Sequence, residues 1–539
     1  MKIEKILIED QMAPIGLDEK KPAFSWLLTA EEGEQNLMQS ACRIVVRTGE
    51  DTVWDSGKME TGVSTGIGYE GEALQPCTKY EVKAEVWDNH GGKAEAESSF
   101  ETGLMDSLYA AWEGAEWIGA PHATVCAENR GVFTIESEFR MEGGKGEAGI
   151  VFGANDFRLN DHTKNELGME GENYIRYAVC LEDGDARLEI YRVGYAPEDT
   201  AEKPFAVTKL VNWKEKTQEI LTPENADAFH KLTVEVDGNV AYAYVDGILV
   251  DAIEEHGFFG TKVSGRQLNP RGNNDVLPYP RLNEIGFYAG KGTTGYFKNL
   301  TVRNVRKPSA EIVRETPEGR LDGGKSIFAD QIPVENGYFK VEDSQITADP
   351  SHHSIPMLRS CISCQKEKKL ASARLYITAR GIYDCRINGQ EITEDLLRPG
   401  LTQYDHRMNY QTYDITGLMK PGRNGIGVTL ASGWWSEAQT FVVKNFNYFG
   451  DKESLLAKVV MKYKDGSREV FGTNTEDWKY FGEGPYLFSS YFAGEQYDAR
   501  RAEVYETYSL PEFDDSTWEK PVVVDTVMIE EFCTCLLYT

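Results

Sequence analysis

HKLTVEVDGNVAYAYVDGILVD, residues 230–251, decides the fold class. Its apolar residues fall on alternate positions, Leu232, Val234 and Val236, then Ala241, Ala243 and Val245, which is the period of a half-buried strand. Asp237-Gly238 and Asp246-Gly247 punctuate the runs with residues that accept the left-handed backbone of tight hairpin turns. Outward from this stretch the same pattern recurs at Ile44 to Arg47, Tyr80 to Trp87 and Arg374 to Thr378, with further turns at Asn388-Gly389 and Asp465-Gly466. No long amphipathic helix interrupts it. The fold class is therefore all-β, built from several sandwiches.

A chain of 539 residues divides into three or four folded units. An apolar fraction of 41% with 11% aromatics excludes a disordered chain. Lys and Arg number 57 against 87 Asp and Glu, and the resulting net charge of -30 repels nucleic-acid phosphates and anionic lipid surfaces. Nucleic acid and membrane are thus not expected partners; the excess carboxylates serve solubility or recruit divalent cations. MKIEKILIED at the start lacks the apolar core of a secretory signal, and no run of about 18 apolar residues occurs. Nine scattered cysteines, an odd number, do not resemble a disulfide framework and fit a reducing, cytoplasmic setting. Cys361 and Cys364 form one CxxC behind His352 and His353, but a structural zinc site normally needs four ligands and no second pair follows.

Residues 1–106 read as a seven-stranded sandwich. Its segments IGLDEKKPAFSWLL (Ile15 to Leu28), VWDSGK (Val53 to Lys58) and FETGL (Phe100 to Leu104) resemble the fibronectin-type III-like N-terminal domain of bacterial α-L-rhamnosidases, glycoside hydrolase family 78. Trp26, Trp54 and Trp87 are expected to fill its core rather than to stack on sugar. The bridge AEWIGAP (Ala115 to Pro121) follows, and residues 116–306 resemble an inserted concanavalin-like, laminin-G-like jelly roll, with FTIESEFRM, AGIVFGAND, ENYIRYAV and ARLEIYRV ahead of the opening stretch. Residues 307–526 carry the most specific resemblance. LASARLYITARGIYDCRINGQEI (Leu370 to Ile392), RPGLTQYDHRMNYQTYDITGLM (Arg398 to Met419), GRNGIGVTLASGWW (Gly422 to Trp435), GEQYDAR (Gly494 to Arg500) and FDDSTWEKP (Phe513 to Pro521) stand in the order of the family's galactose-binding-like N-terminal sandwich. The last residues, 527–539, with EEFCTCLLYT, do not continue that pattern and are expected to be an artefactual or disordered tail.

The resemblance implies hydrolysis of terminal α-L-rhamnose with inversion, by two carboxyls held about 6.5 to 9.5 Å apart. In the family both come from a later (α/α)6 barrel, whose DxxRDER-like motif does not occur in this sequence. No catalytic residue is therefore assigned, and the chain is expected to be inactive alone. The implied partners are rhamnose-containing glycosides or polysaccharide and a C-terminal catalytic half of the same polypeptide; the alternative is a stand-alone carbohydrate-binding protein.

Sugar binding needs only an aromatic face and side chains that match hydroxyl pairs. In the jelly roll the candidates are Glu172, Asn173, Tyr174, Asn155 and Asn273. The rhamnose-binding modules that this insert resembles use Ca2+, for which Asp156, Asn274 and Asp275 are suitable oxygen donors. Asn and Asp also occupy turns for conformational reasons alone, and that reading stands beside the functional one for each residue. In the third unit Trp434, Trp435, Glu495, Asp498 and Arg500 are candidates for the rim of an active site. The structural alternative is that Asp498 and Arg500 pair to fix a loop while the tryptophans pack between domains.

Overall fold

The computed structural model describes residues 1–122, 132–155, 173–182, 185–196, 199–206, 220–221, 224–237, 240–250, 263–264, 282–305, 307–321, 323–350, 354–437, 448–450, 452–491, 494–524 and 531–534. Three β-sandwiches follow one another. The longest helix among the described residues is Ala502–Thr507, six residues, so these residues hold no helical barrel, and none of their helices is long and apolar enough to cross a membrane.

In the first sandwich a three-stranded sheet, Lys2–Ile8, Ala23–Thr29 and Ile67–Gly68, faces a five-stranded one ordered Ile15–Leu17, Lys93–Thr102, Lys79–Asp88, Gln39–Thr48 and Asp51–Asp55. Alternation sets the core: Tyr80, Val82, Ala84 and Val86 point inward from one strand to meet Phe24, Trp26, Ile44 and Phe100. Buried Trp26 donates its indole N–H to Gln39 Oε1 at 2.9 Å, and Trp54 stacks on Phe24 with centroids 5.8 Å apart. Trp87 departs from the expected core position. It follows inward-facing Val86, so the strand period turns it outward, under the ammonium groups of Lys58 and Lys93 at 5.1 and 5.3 Å from its ring.

The inserted sandwich is one continuous sheet folded over its own core. Asp185–Val193, Tyr174–Glu182 and Gly146–Ala154 lead to the long strand Glu284–Phe297, which turns the corner to Val132–Met141; His230–Asp237, Val240–Val245 and Ile248–Val250 follow. Ile135, Phe152, Ile175, Leu188, Val234 and Phe287 lie between the layers. Its expected boundary moves. Lys307–Thr316 pairs with Leu300–Asn304, and Tyr338–Ala348 pairs along Glu284–Phe297, with Phe339 opposite Phe297 and Ile346 opposite Phe287. Residues 307–348 thus complete the insert, because Phe328, Ile332, Phe339 and Val341 bury their apolar surface in its core.

In the third sandwich one sheet runs Gln390–Glu391, Ile382–Ile387, Gly422–Ala431, Met357–Cys364 and Lys479–Phe481. The other runs Val522–Val523, Ile118–Gly119, Ser454–Tyr463, Leu370–Arg380, Arg407–Asp414 and Glu531–Thr534. Two expectations are corrected here. The bridge belongs to this sandwich rather than to the jelly roll: Ile118, fully buried, pairs with Leu455 and Val523. The expected tail supplies a parallel edge strand, Glu531–Thr534, whose Phe532 is 4% exposed and whose backbone N–H donates to Ser107 O at 2.8 Å. Cys361 and Cys364 stand three apart on one strand, so their side chains point to opposite faces and cannot share a metal ion.

A polar and aromatic seam joins the first and third sandwiches. Arg374 grips Glu101 through two N–H bonds of 2.5 and 2.6 Å, and the Tyr410 hydroxyl donates to Asp18 at 2.6 Å while accepting from Leu104 N. Behind them Trp112, Trp117, Tyr376, Tyr404, Trp435 and Phe532 form a shared core. Glu113 closes one end, accepting from Arg468 and from the buried ammonium of Lys458 at 2.9 Å. Hydrogen bonds from Arg468 hold its carboxyl at about 2 against the opposing effect of burial, with Lys458 adding to the lowering. A depressed folded pKa contributes stability above the unfolded value, near 4.5, that is lost as pH falls through the folded one. The gap in urea midpoint between the native chain and Glu113→Gln is therefore expected to be full above pH 4.5 and to shrink toward pH 2.

Candidate functional site

The first candidate site grows from the end of Gly146–Ala154. Asn155 adopts φ 50°, a left-handed conformation that asparagine tolerates better than most residues. That turn lets its backbone N–H reach Asn173 O at 2.9 Å, so the structure does bring Asn155 and Asn173 together. Asn173, however, is fully buried and donates its amide to Gly153 O at 2.9 Å, where the Tyr195 hydroxyl also donates at 2.7 Å. Its side chain ties the strand ends together and presents no hydrogen-bonding edge to solvent. Tyr174, 9% exposed, packs with Val151, Ala154 and Val193. Asn155 is the exposed member. Its Nδ2 donates to Glu284 Oε2 at 2.7 Å, and the same oxygen accepts from Thr347 at 2.8 Å. Glu172, Asn273, Asp156, Asn274 and Asp275 lie outside the described residues.

Beside this knot lies a cluster that the motif reading missed. The Arg176 guanidinium is held between the rings of Tyr288 and Tyr191, 4.1 and 4.5 Å from their centroids, and faces Glu147 at 3.5 Å. Tyr288 donates to the same carboxylate at 3.1 Å. Burial raises the Glu147 carboxyl, while the charge of Arg176 opposes the rise. Arg176 shares a face with Tyr174 because the two are two residues apart on one strand, and that spacing was readable in ENYIRYAV. The arrangement places aromatic rings and a paired charge within one sheet face, the residue types that hold sugar rings and hydroxyl pairs.

The second candidate site is built on the turn Gly433–Ser436 and the hairpin Tyr486–Ser490 with Gly494–Tyr497. Glu437, buried, accepts from the Ser490 hydroxyl and from Tyr491 N, which docks the hairpin on the turn. Trp434 packs on Tyr491 with centroids 4.4 Å apart. Trp435 is 2% exposed in the seam core, against Tyr404 and Phe449, with the Arg380 guanidinium 5.3 Å over its ring and 4.4 Å over that of Trp117. Asp498 caps the short helix Ala499–Arg501 and pairs with Arg500 at 2.7 Å, an ion pair whose hydrogen bond lowers the Asp498 carboxyl to about 2. Glu495 is exposed and accepts from Ser489 at 3.2 Å. The geometry thus follows the structural alternative for Trp435, Asp498 and Arg500, packs Trp434 partly buried between the seam core and Tyr491, and leaves Glu495 exposed on the docked hairpin. Among the described residues no group of three or more His, Cys, Asp or Glu side chains could hold a metal ion.

With this geometry in place, the likenesses to known proteins are specific. Residues 3–106 match the Rha78A-like N-terminal immunoglobulin domain, and residues 368–532 match the alpha-L-rhamnosidase N-terminal domain. The alpha-L-rhamnosidase of Streptomyces avermitilis is 27% identical over 523 residues, covering 95% of this chain and 44% of its own length. An alpha-L-rhamnosidase of Formosa agariphila is 38% identical over 152 residues, 28% of this chain and 16% of its own. Among solved structures, Streptomyces avermitilis alpha-L-rhamnosidase complexed with L-rhamnose superposes with a TM-score of 0.54 at 20% identity, over 99% of this chain and 46% of that one. The alpha-L-rhamnosidase of Dictyoglumus thermophilum gives 0.50 at 20% identity, over 100% and 35%. The chain spans less than half the length of each of these relatives.

Proposed function

Because this chain belongs, through its N-terminal domains, to the bacterial α-L-rhamnosidases of glycoside hydrolase family 78, we propose that it is the non-catalytic front half of such an enzyme. In this reading the whole protein removes terminal α-L-rhamnose from glycosides by inversion, with both carboxyls supplied by a C-terminal half. The first and third sandwiches act as its rigid chassis, and the inserted sandwich binds carbohydrate. The observation that carries the proposal is the alignment with the Streptomyces protein, which runs through 95% of this chain and so includes the insert as well as its neighbours.

Within the insert, the exposed amide of Asn155 beside Glu284 and the Tyr191, Arg176 and Tyr288 array are the described groups suited to a sugar. Calcium would have to draw its oxygens from Asp156, Asn274 and Asp275. Glu284, the carboxylate beside Asn155, is already engaged by Asn155 and Thr347. Titration calorimetry of the 539-residue chain with L-rhamnose is expected to give binding heat, with affinity weakened about five- to tenfold by Asn155→Ala, since a lost sugar hydrogen bond is worth roughly 1 to 1.5 kcal/mol. A chelator should abolish the heat if calcium takes part. No nitrophenol should be released from a rhamnoside chromogen; release would sink the non-catalytic assignment, and absence of heat would sink the binding role.

A further inference from the structure

The loop between Gln390–Glu391 and Arg407–Asp414 in the third sandwich shows apolar side chains to water while its backbone is fixed from beneath. Leu396, Leu397 and Leu401 are 80%, 51% and 55% exposed. A single exposed leucine is ordinary, whereas three on one short loop make a patch of the kind that marks an interface. The residues between them are anchored. Arg398, its side chain 6% exposed, donates to Asp384 at 2.7 Å and lies 5.2 Å over the Tyr383 ring. Gln411 donates to Pro399 O at 2.9 Å, and the hydroxyl of buried Tyr404 donates to Gly400 O at 2.8 Å. Leu397 takes φ 59°, the left-handed region that leucine rarely adopts. The anchors that follow it hold this conformation, and it keeps both leucines out of the sandwich core.

The chemistry of the patch and its place in the fold select what covers it. Glu394 and Asp395 stand immediately before the leucines and make no ion pair among the described residues. Their carboxylates repel phosphate-bearing surfaces and suit a polypeptide face with an apolar hollow and a basic rim. The loop leads into Arg407–Asp414, which the strand Glu531–Thr534 joins in parallel with Arg407 opposite Glu531. Four residues of strand span about 13 Å, so polypeptide continuing past Thr534 starts about that far from the base of the loop. This chain covers 44% of the Streptomyces relative, and a continuation of that scale is long enough to fold over the patch.

We infer that the loop carrying Leu396, Leu397 and Leu401 is the docking surface for the C-terminal half. The inference rests on the front-half reading given above. Docked there, that half is coupled to the seam, because Tyr404 at the base of the loop packs against Trp435 and Phe449.

Leu396→Cys, made in the 539-residue chain and in the longer product of the same gene, tests this by residue-resolved maleimide labelling. The new thiol should react about tenfold or more slowly in the longer product, as a group reached only when an interface opens. Equal rates in a longer product that releases nitrophenol from a rhamnoside would overturn the docking and leave the front-half reading standing. A gene whose product carries no hydrolytic half would sink that reading, and the docking with it. Slow labelling in the 539-residue chain itself would also overturn the docking, in favour of a second copy where sedimentation shows a dimer. Should Leu396→Cys misfold, Leu401→Cys gives the same comparison from the other end of the patch.

Discussion

Arg374→Ala should cost about 3 to 5 kcal/mol, because it strands a mostly buried carboxylate without the cation that hydrogen-bonds it. The Arg374 and Glu101 side chains are 11% and 14% exposed, so water can replace little of what the guanidinium supplies. The same guanidinium also donates to Asp414 at 2.5 Å and to Thr416 at 2.9 Å, so its loss loosens the strand Arg407–Asp414 as well as the first sandwich. The double variant Arg374→Met with Glu101→Leu is expected to recover most of the loss, since two apolar groups leave nothing unpaired in the seam. Urea unfolding followed by tryptophan fluorescence checks both, as Trp112 and Trp117 lie in the shared core. A loss below about 1 kcal/mol for the single variant would place this pair among ordinary surface ion pairs.

How much of this architecture could be read from the sequence follows from what is local. Alternation within Tyr80 to Trp87 or Leu232 to Val236 is a property of the strand alone, and the structure forms strands at both. Partners are not local. Nothing within residues 307–348 says that Phe339 will face Phe297 rather than start a new unit, since the pairing is set by core volume contributed from elsewhere. Asn173 shows the same limit at the candidate site. The motif correctly marks a strand start near Asn155, but an amide committed to Gly153 O looks, in sequence, like one offered to a ligand. Trp87 could have been placed: it follows an inward valine by one position, and the period of two outranks its hydrophobicity. Arg176 was equally accessible by the same rule.

Phe532→Ala is expected to cost about 3 to 5 kcal/mol, the loss typical of a buried phenylalanine whose cavity cannot collapse. The ring of Phe532 lies 5.5, 6.5 and 6.4 Å from those of Trp112, Trp117 and Tyr109, the first and last from the short helix Tyr109–Trp112 and Trp117 from the bridge that follows it. Rigid aromatic walls on three sides leave an alanine methyl with few partners. The strand that carries Phe532 is short and lies at a sheet edge, paired in parallel from Arg407–Glu531 to Tyr410–Thr534. Four residues of parallel pairing cannot hold themselves, so the aromatic contact anchors the strand rather than the reverse. The variant should therefore release the whole segment, seen as a red shift of Trp112 and Trp117 emission and new proteolysis after Val524. Removing residues 525–539 should reproduce the red shift, because the anchor and not the backbone pairing holds the edge. If Phe532→Ala left emission, proteolysis and the urea midpoint unchanged, these last residues would be a passive tail, as their sequence alone suggests.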